Sequence, residues 1–375
     1  MNHPAIVVIA YNRAKALGRL LSSLKDADYP KETNVTLIIS IDKGDNNSDV
    51  VKTAEEFAWD HGDKRVIKRS RNMGLKAHVL ECSQLSKEYG SAIILEDDLY
   101  VAKDFYGYSQ AALEYTKNDE RIAGVSLYNH LLNVHAREPF EAVKDESDNW
   151  FFQFASSWGQ AYTAEQWEKF NEWMEKNDNT PFPDTVPENV RTWDDSSWLK
   201  YFIRYVIETD RFFLYPHISR TTNFSDGGTH RSGQEADFQV PLMNKGDMGY
   251  RFRSLDDSIS VYDSYFENIR LKEKLSDQGD TIIDLYGKKP LPGNELKLLS
   301  SRALPFRIIK SYGRALRPID ANIMSDIPGD EFRLYDMGCP DILKGTDTAE
   351  KLMYNYRAFK AKYGIRIIMK RLFGR

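Results

Sequence analysis

The sequence is poor in cysteine, with only Cys82 and Cys339 among 375 residues. It therefore carries no disulfide framework of the kind that stabilises small secreted domains. It also lacks an apolar run of the roughly 18 residues that a membrane-spanning helix needs. The apolar stretch at residues 5–10 is shorter than that of a signal peptide and has no basic start. These absences predict a soluble protein of a reducing cytoplasm.

Basic residues are not in excess, because 51 Lys and Arg face 56 Asp and Glu and the net charge is −5. A general nucleic-acid-binding protein would carry a basic footprint, so no nucleic-acid partner is predicted. The hydrophobic content of 41% and the charged content of 29% are typical of a globular chain. The length allows one large domain or two.

Short apolar runs alternate with segments of helical periodicity in the first third of the chain. Residues 5–10, 35–42, 65–70 and 91–98 are predicted strands. A helical spacing of leucines, Leu17, Leu20, Leu21 and Leu24, follows the first of them. This alternation predicts an α/β fold with a mostly parallel central sheet flanked by helices. Continuous apolar strands further indicate a sheet covered on both faces.

The middle of the chain predicts a strand at residues 122–128 and a helix capped by Thr163. A second helix is predicted from Asp195 to about Thr209, followed by a strand in RFFLYPHI. The glycine-rich segment 225–234 has no hydrophobic periodicity and is predicted to be a mobile loop.

Three consecutive carboxylates, Glu96, Asp97 and Asp98, follow the apolar part of the fourth predicted strand, and Asp42 ends the second. In an open parallel sheet, ligands bind outside the carboxyl ends of the strands. Carboxylates crowded there repel one another unless a cation offsets them. Mg²⁺ and Mn²⁺ prefer oxygen ligands and are held by one or two carboxylates together with substrate phosphates. A metal–phosphate site is therefore predicted at this edge, and the alternative is a solvated acidic loop or a helix cap.

A resemblance to GT-A-fold nucleotide-sugar glycosyltransferases is carried by the segments AIVVIAYNRAKALGRLLSSL, LIISIDKGD, RNMGLKAHV and AIILEDDLYVAKDFYGY. It continues in SSWGQAYTAEQWEKF, TWDDSSWLKYF and LYPHISRTTNFSDGGTHRSG, so that it covers about residues 3–235. More narrowly, the motifs are similar to the N-acetylglucosaminyltransferase I and protein O-mannose N-acetylglucosaminyltransferase group. They also resemble bacterial family-2-like transferases of surface polysaccharide synthesis. The resemblance implies a GT-A, Rossmann-like fold.

The resemblance also implies a nucleotide-sugar site, formed by Ala10, Tyr11, Asn12, Arg13, Asp42, Arg71, Asn72, Gly74, Glu96, Asp97, Trp158, Arg220 and His230. Asp98, the last acid of the triplet, would be the direct ligand of Mn²⁺ or Mg²⁺. A simple turn is the alternative for Asn72 and Gly74, and a place in the core is the alternative for Trp158. Where bacterial relatives show a second tryptophan, this chain has Gln160.

The catalytic base is assigned by the same resemblance to Asp194 and Asp195, in the segment TWDDSSW. An inverting transfer needs a carboxylate that takes the proton of the acceptor hydroxyl. The two acids are not distinguished by the sequence, because relatives have a shorter spacing between the flanking tryptophans. An aspartate that caps the following helix is the alternative for one of them.

The function implied is that of a metal-dependent inverting glycosyltransferase. It would move N-acetylglucosamine, galactose or glucose from a nucleoside-diphosphate sugar, expected to be a UDP-sugar, to a hydroxyl of a glycan or lipid-linked acceptor in surface polysaccharide synthesis. A nucleotidyltransferase is one alternative, but a glycine-rich basic loop is missing from AYNRAKALG. An inactive sugar-nucleotide-binding protein is the other.

The predicted domains are a GT-A domain at 1–290, with a nucleotide-binding half (1–130) and an acceptor-side half (131–290), and a basic, mainly helical region at 291–375. Residues 351–375 carry eight Lys and Arg and no acid. Such a segment predicts either peripheral contact with an anionic membrane or a solvated helix whose apolar face packs on the core. The predicted location is accordingly the cytoplasm, with peripheral contact at the inner face of the cell membrane.

Overall fold

The computed structural model describes residues 3–224, 238–245, 249–293, 296–345 and 361–373. The strands, in chain order, are β1 (Ala5–Ala10), β2 (Leu37–Ile41), β3 (Lys64–Lys68), β4 (Ser91–Glu96), β5 (Leu99–Val101), β6 (Ile122–Ser126), β7 (Leu132–Asn133), β8 (Glu138–Pro139), β9 (Asn149–Phe152), β10 (Gln160–Thr163), β11 (Phe212–Pro216), β12 (Thr221–Asn223), β13 (Val261–Tyr262), β14 (Thr281–Asp284), β15 (Lys297–Ser300), β16 (Phe306–Tyr312) and β17 (Phe332–Pro340).

The helices are α1 (Ala14–Lys25), α2 (Ser48–Glu56), α3 (Leu75–Ser83), α4 (Leu85–Tyr89), α5 (Phe105–Thr116), α6 (Ala164–Asn177), α7 (Glu188–Arg191), α8 (Trp198–Glu208), α9 (Leu271–Lys274), α10 (Asp320–Met324) and α11 (Ala361–Phe373). Thr163 caps α6 as predicted, because its side chain accepts from the backbone N–H of Gln166 in a capping box. None of the described helices is long and apolar enough to cross a membrane.

The chain divides into two compact units, of which the first comprises Met1–Leu131 and Lys144–Ser264. Its main sheet has the order β13-β9-β11-β6-β10-β4-β1-β2-β3. The four strands β4, β1, β2 and β3 run parallel, as do the pairs β6–β11 and β9–β13. The predicted α/β class with a mostly parallel central sheet is confirmed. The aromatic segment 150–162 adds β9 and β10, two antiparallel strands that the sequence did not predict.

Strands β4, β1 and β2 of the parallel part are buried on both faces, whereas the edge strand β3 is partly exposed. Ile6, Val7 and Val8 of β1 have no exposed surface, and the leucines at helical spacing in α1 are at most 1% exposed. Burial of one such side chain contributes about 2 kcal/mol to folding. The apolar runs therefore hold the strand ends at a fixed edge of the sheet.

A short ribbon continues from β4 beyond the acidic run. Strand β5 pairs antiparallel with β12, with Leu99 opposite Asn223. Gly159 lies against this ribbon at a φ of 93°, and a Cβ at this position would come within 2.8 Å of the Thr221 methyl. The close approach explains a glycine here and brings the 158–160 segment to the start of β12.

The second unit comprises Leu132–Val143 and Tyr265–Arg375. It contains a four-stranded sheet of order β14-β15-β17-β16 around a core of Leu298, Tyr335 and Met337. The sequence placed a boundary at residue 290 and a mainly helical region beyond it, and the structure differs on both points. The prediction rested on the basic composition of the region, whereas apolar residues of β15 and β17 pair across a sheet.

Candidate active site

Three strand ends coincide at the carboxyl edge of the main sheet. Ile9 lies opposite Glu96 in the pairing of β1 with β4, and Ala10 lies opposite Ile41 in the pairing of β1 with β2. The backbone N–H of Asp42 donates to the carbonyl of Ala10 at 2.9 Å. The register thus brings Ala10, Asp42 and the acidic run to one edge.

Arg13 lies against the last two acids of the run. Its Nη1 donates to Asp98 Oδ2 at 2.9 Å, and its Nη2 donates to Asp97 Oδ1. The Asp97 side chain is 4% exposed and that of Asp98 is 18% exposed. Sequence resemblance assigned Arg13 to the nucleotide, whereas in this structure its guanidinium neutralises the carboxylates.

Burial weakens the acids of this run. It raises the pKa of Glu96 to about 8, with the Asp98 carboxylate adding to the rise and Arg13 opposing it. Burial also raises the pKa of Asp97 to about 6, against the attraction of Arg13. For Arg13, burial acts to lower the pKa, but Asp97 and Asp98 outweigh it and the pKa is raised. The run therefore has a deficit of positive charge even with Arg13 in place.

Asp98 offers an oxygen that suits a cation. Its Oδ1 is buried and has no hydrogen-bond partner among the described residues. A buried, unpartnered carboxylate oxygen is costly and is the type of donor that Mg²⁺ and Mn²⁺ take. Within the described ranges, no three His, Cys, Asp or Glu side chains gather as a metal site. The residues present therefore fit a cation held by one protein carboxylate, with its other ligands supplied by a bound substrate.

Asp42 organises the loop that follows β3. Its Oδ1 accepts from the backbone N–H groups of Lys43 and Met73, both at 2.9 Å, and its Oδ2 accepts from that of Gly74 at 3.0 Å. Gly74 has a φ of 75°, a left-handed conformation that favours glycine. The nucleotide contact implied for Asp42 stays a prediction and would add to this structural role, because each oxygen keeps capacity to accept.

The rim of the edge is formed by exposed polar side chains. Asn72 donates to the carbonyl of Lys43 at 2.8 Å and to the hydroxyl of Tyr11 at 3.4 Å. Arg71 is exposed and makes no ion pair or hydrogen bond with the rest of the described chain. Asn12, in the loop after β1, is exposed as well. The rim thus carries the exposed guanidinium of Arg71 and the amide groups of Asn12 and Asn72.

The loop with the predicted base faces α3. A cavity of about 260 Å³ is lined by Gly74, Lys76 and neighbouring residues of α3 on one side and by Ser196 on the other. Asp194 accepts from the backbone N–H of Ser196 at 2.8 Å and is exposed.

Asp195 has a different partner, the ammonium of Lys200 at 2.5 Å. Lys200 is 3% exposed whereas Asp195 is 92% exposed, so a buried cation holds a surface carboxylate. The two predicted base residues therefore share one loop next to Gly74, and they differ in what binds them.

Trp158 packs in an aromatic cluster next to the carboxyl ends of β4 and β6. Its ring centroid lies 4.6 Å from that of Tyr128 and 4.8 Å from that of Phe238. The side chain is half-buried, so it combines a place in the core with a partly accessible face. Next to it, Gln160 is 1% exposed, and neither its amide nitrogen nor its amide oxygen has a partner in the described part of the chain.

Arg220 requires a correction. Resemblance assigned it to the donor diphosphate, but its side chain is 3% exposed, pairs with Asp104 at 3.2 Å and lies over the ring of Tyr108 at 4.4 Å. A guanidinium bound in this way holds β12 to α5 and has a structural role. His230, predicted to contact phosphate or metal, lies outside the described residues.

Two partners in this region were missed by sequence reasoning, Lys200 and Asp104. Lys200 is the sole lysine in the apolar helix WLKYFIRYVIE, five residues after Asp195. A lone lysine on a buried helix face signals a nearby carboxylate. Asp104 offers no comparable signal, because it looks like an ordinary residue before a helix.

The chain is similar to known proteins, both to a family model and to a curated relative. A sequence model described as the GNT-I family matches residues 1–274. An Arabidopsis thaliana protein named alpha-1,3-mannosyl-glycoprotein 2-beta-N-acetylglucosaminyltransferase is 25% identical over 237 residues, covering 60% of this chain and 48% of the relative. The chain thus spans about half the length of this curated relative.

Solved structures of low similarity include TarS of S. aureus and a mannosyltransferase. TarS 1-349 of S. aureus has a TM-score of 0.37 and 14% identity, covering 58% of this chain and 59% of that one. The mannosyltransferase PcManGT from Pyrobaculum calidifontis, in complex with GDP-Man and Mn²⁺, has a TM-score of 0.30 and 16% identity, covering 52% of this chain and 50% of that one.

Proposed function

The chain belongs to the GNT-I family, and we propose that it is an inverting glycosyltransferase that uses a nucleoside-diphosphate sugar. The observation that carries the proposal is the convergence of Asp42, the 71–74 loop and the acidic run at one edge of the sheet. Ligands of open α/β sheets bind at this edge. The named activity of the Arabidopsis relative favours UDP-N-acetylglucosamine as donor, and UDP-galactose and UDP-glucose are the donors to test against it.

The donor would lie across the ends of β1, β2 and β4. Ala10, Tyr11 and Asn12 at the end of β1 border the nucleotide, and the exposed guanidinium of Arg71 faces its diphosphate. Asp42 holds the backbone of Gly74, which also donates to the side chain of Asn72, and this loop would face the sugar. Glu96, Asp97 and Trp158 border the sugar itself, since hydroxyl groups suit carboxylates and aromatic faces suit the apolar faces of sugars.

A divalent cation, Mn²⁺ or Mg²⁺, would bind to Asp98. The support is the buried Oδ1 without a partner in the described chain, next to a run that has a deficit of positive charge. A bound cation would supply charge neutralisation for the departing nucleoside diphosphate. Arg13, which pairs with Asp98 at 2.9 Å, would then shift part of its attraction to the diphosphate.

Asp194 is the base that we favour. The ammonium of the buried Lys200 already holds the carboxylate of Asp195, at 2.5 Å. The backbone N–H of Ser196 orients the carboxylate of Asp194. In the reaction, Asp194 takes the proton of the acceptor hydroxyl, the acceptor oxygen bonds to the anomeric carbon, and the bond from that carbon to the diphosphate breaks. The nucleoside diphosphate leaves with the bonding electrons, and the anomeric configuration inverts.

The acceptor is a hydroxyl of a glycan or of a lipid-linked glycan, in surface polysaccharide synthesis. The cavity between α3 and Ser196 lies on the side of the base and would admit part of such an acceptor. The support here is the position of the cavity together with the sequence resemblance to polysaccharide transferases.

The test is a panel of UDP-N-acetylglucosamine, UDP-galactose, UDP-glucose and GDP-mannose. Binding is measured by calorimetry with and without Mn²⁺, and turnover by release of the nucleoside diphosphate. We expect a UDP-sugar to bind more tightly with Mn²⁺ and to be hydrolysed slowly without acceptor. Arg71→Gln should weaken donor binding about tenfold, whereas the control Arg65→Gln, at an exposed arginine of β3, should not. The proposal fails if no nucleotide sugar binds under either condition.

A further inference from the structure

The C-terminal helix α11 carries an apolar stripe that faces solvent. Ile365, Ile368, Met369, Leu372 and Phe373 are 60%, 58%, 50%, 69% and 66% exposed. The first four have the spacing i, i+3, i+4 and i+7, which places them on one face of the helix. A helix that packs on a protein core would bury such a stripe. Its exposure to solvent therefore indicates another binding surface.

The charge of the same segment is entirely positive. Residues 351–375 carry eight Lys and Arg and no acid, although the chain as a whole has a net charge of −5. Four of these bases, Lys362, Arg366, Lys370 and Arg371, lie within α11. A basic helix with an exposed apolar stripe is suited to lie in the plane of an anionic lipid surface, with its apolar residues among the acyl chains.

We propose that α11 docks the protein on an anionic membrane surface. At 13 residues the helix is about 20 Å long, which is too short to span a bilayer and sufficient to lie along one. The proposal takes up one of the two predictions for this segment, peripheral contact with a membrane, and rests on the exposure of the apolar stripe. The proposal does not depend on the proposed function, since it concerns only where the chain resides.

The test uses the full chain and sedimentation with vesicles. Vesicles of phosphatidylglycerol and phosphatidylcholine are compared with vesicles of phosphatidylcholine alone, each at about 0.1 M and about 1 M salt. We expect binding to the anionic vesicles at low salt, with loss of most of it at high salt or without the anionic lipid. The double variant Ile368→Asp with Leu372→Asp should bind the anionic vesicles at least about tenfold more weakly than the wild type.

Two further variants separate docking from general effects. Ile342→Asp changes a side chain of the second unit that is 79% exposed and lies outside α11, and it should bind like the wild type. Lys370→Gln with Arg371→Gln should weaken binding to anionic vesicles severalfold. All variants should keep the unfolding temperature of the wild type, because the apolar side chains that are replaced are exposed and contribute little to a core.

Three outcomes would overturn the proposal. One is equal binding to neutral and anionic vesicles, and another is unchanged binding of the Ile368→Asp, Leu372→Asp variant. The third is concentration-dependent self-association without vesicle binding that the same variant abolishes, because the stripe would then belong to a second copy of the chain.

Discussion

Arg13 donates to Asp98 Oδ2 at 2.9 Å and also contacts Asp97, so one guanidinium neutralises two carboxylates at the sheet edge. If Asp98 binds a divalent cation, Arg13 competes with it. The Arg13→Gln variant should therefore bind Mn²⁺ about tenfold more tightly in the absence of donor, as measured by calorimetric titration with MnCl₂. Unchanged affinity would mean that Arg13 and the cation do not share Asp98.

The same variant should be less stable. Removing the partner of Asp97, whose side chain is 4% exposed, should lower the free energy of unfolding by about 2 kcal/mol. The estimate is below that of a fully buried pair, because Arg13 keeps 27% exposure. The matched control Arg65→Gln breaks an exposed pair with Glu88 and should cost less than about 1 kcal/mol in urea unfolding.

Replacing Asp194 with Asn and replacing Asp195 with Asn should have different effects. Asp194→Asn should lower kcat by about 10²-fold to 10⁴-fold, because it removes the base. Asp195→Asn should change kcat less than about tenfold but lower the free energy of unfolding by about 1 kcal/mol, since it leaves the buried Lys200 without its carboxylate. Transfer rates and urea unfolding give the two readouts.

Lys200→Met provides the control for this pair. Added to Asp195→Asn, it should restore the stability, because the buried ammonium is then absent. Added to Asp194→Asn, Lys200→Met should leave the kcat of that variant unchanged. A large loss of kcat in Asp195→Asn with full activity in Asp194→Asn would reverse the assignment of the base.

His78 should make stability depend on pH. It is 2% exposed and hydrogen-bonds with Ser40 Oγ at 2.7 Å, and burial lowers its pKa to about 4, with Asp42 opposing the shift. Because the folded pKa lies below the unfolded value of about 6.5, the neutral ring stabilises the fold above pH 6.5. This contribution is lost as the pH falls towards 4.

The measurement is urea unfolding of the wild type and of His78→Gln at pH 7 and pH 5. The wild type should lose about 2 kcal/mol more than the variant between these values. Parallel losses would show that His78 titrates equally in both states.

Replacing Gln160 with an apolar residue should stabilise the protein. Its amide is buried without a partner among the described residues, and Met has a similar volume without polar groups to satisfy. Gln160→Met should raise the free energy of unfolding by about 1 kcal/mol. Gln166→Met is the control, because Gln166 bonds the backbone of Thr163 and Ile122, and it should lower stability by about 1 kcal/mol. A loss in Gln160→Met would indicate a water or ligand bound to the amide.

The sequence predicted the elements whose signal is local. Strands β1, β2 and β4 are continuous or nearly continuous apolar runs, and α1 has periodic leucines. The order of these elements alone implies which carboxylates meet at the edge. Strands β9 and β10 were missed, because an aromatic run fits a buried helix or a buried strand equally well. The sheet of the second unit was hidden by its basic composition.

Contacts between residues that are distant in sequence could not be predicted from the sequence either. Arg220 in SRTTN looks like a phosphate ligand, and only the pairing of β12 with β5 turns it towards Asp104. The pairing of Arg13 with Asp97 and Asp98 likewise spans more than 80 residues, although all three residues were assigned to one site. Motif resemblance located the site, but the contacts within it require the fold.

The central claim is that Asp98 holds a cation that binds the donor diphosphate. The most direct test is calorimetric titration of UDP-N-acetylglucosamine into the wild type and into Asp98→Asn, each with and without Mn²⁺. We predict that Mn²⁺ tightens binding to the wild type at least about tenfold and leaves binding to Asp98→Asn unchanged. Equal enhancement by Mn²⁺ in both proteins would contradict the assignment of Asp98 as the metal ligand.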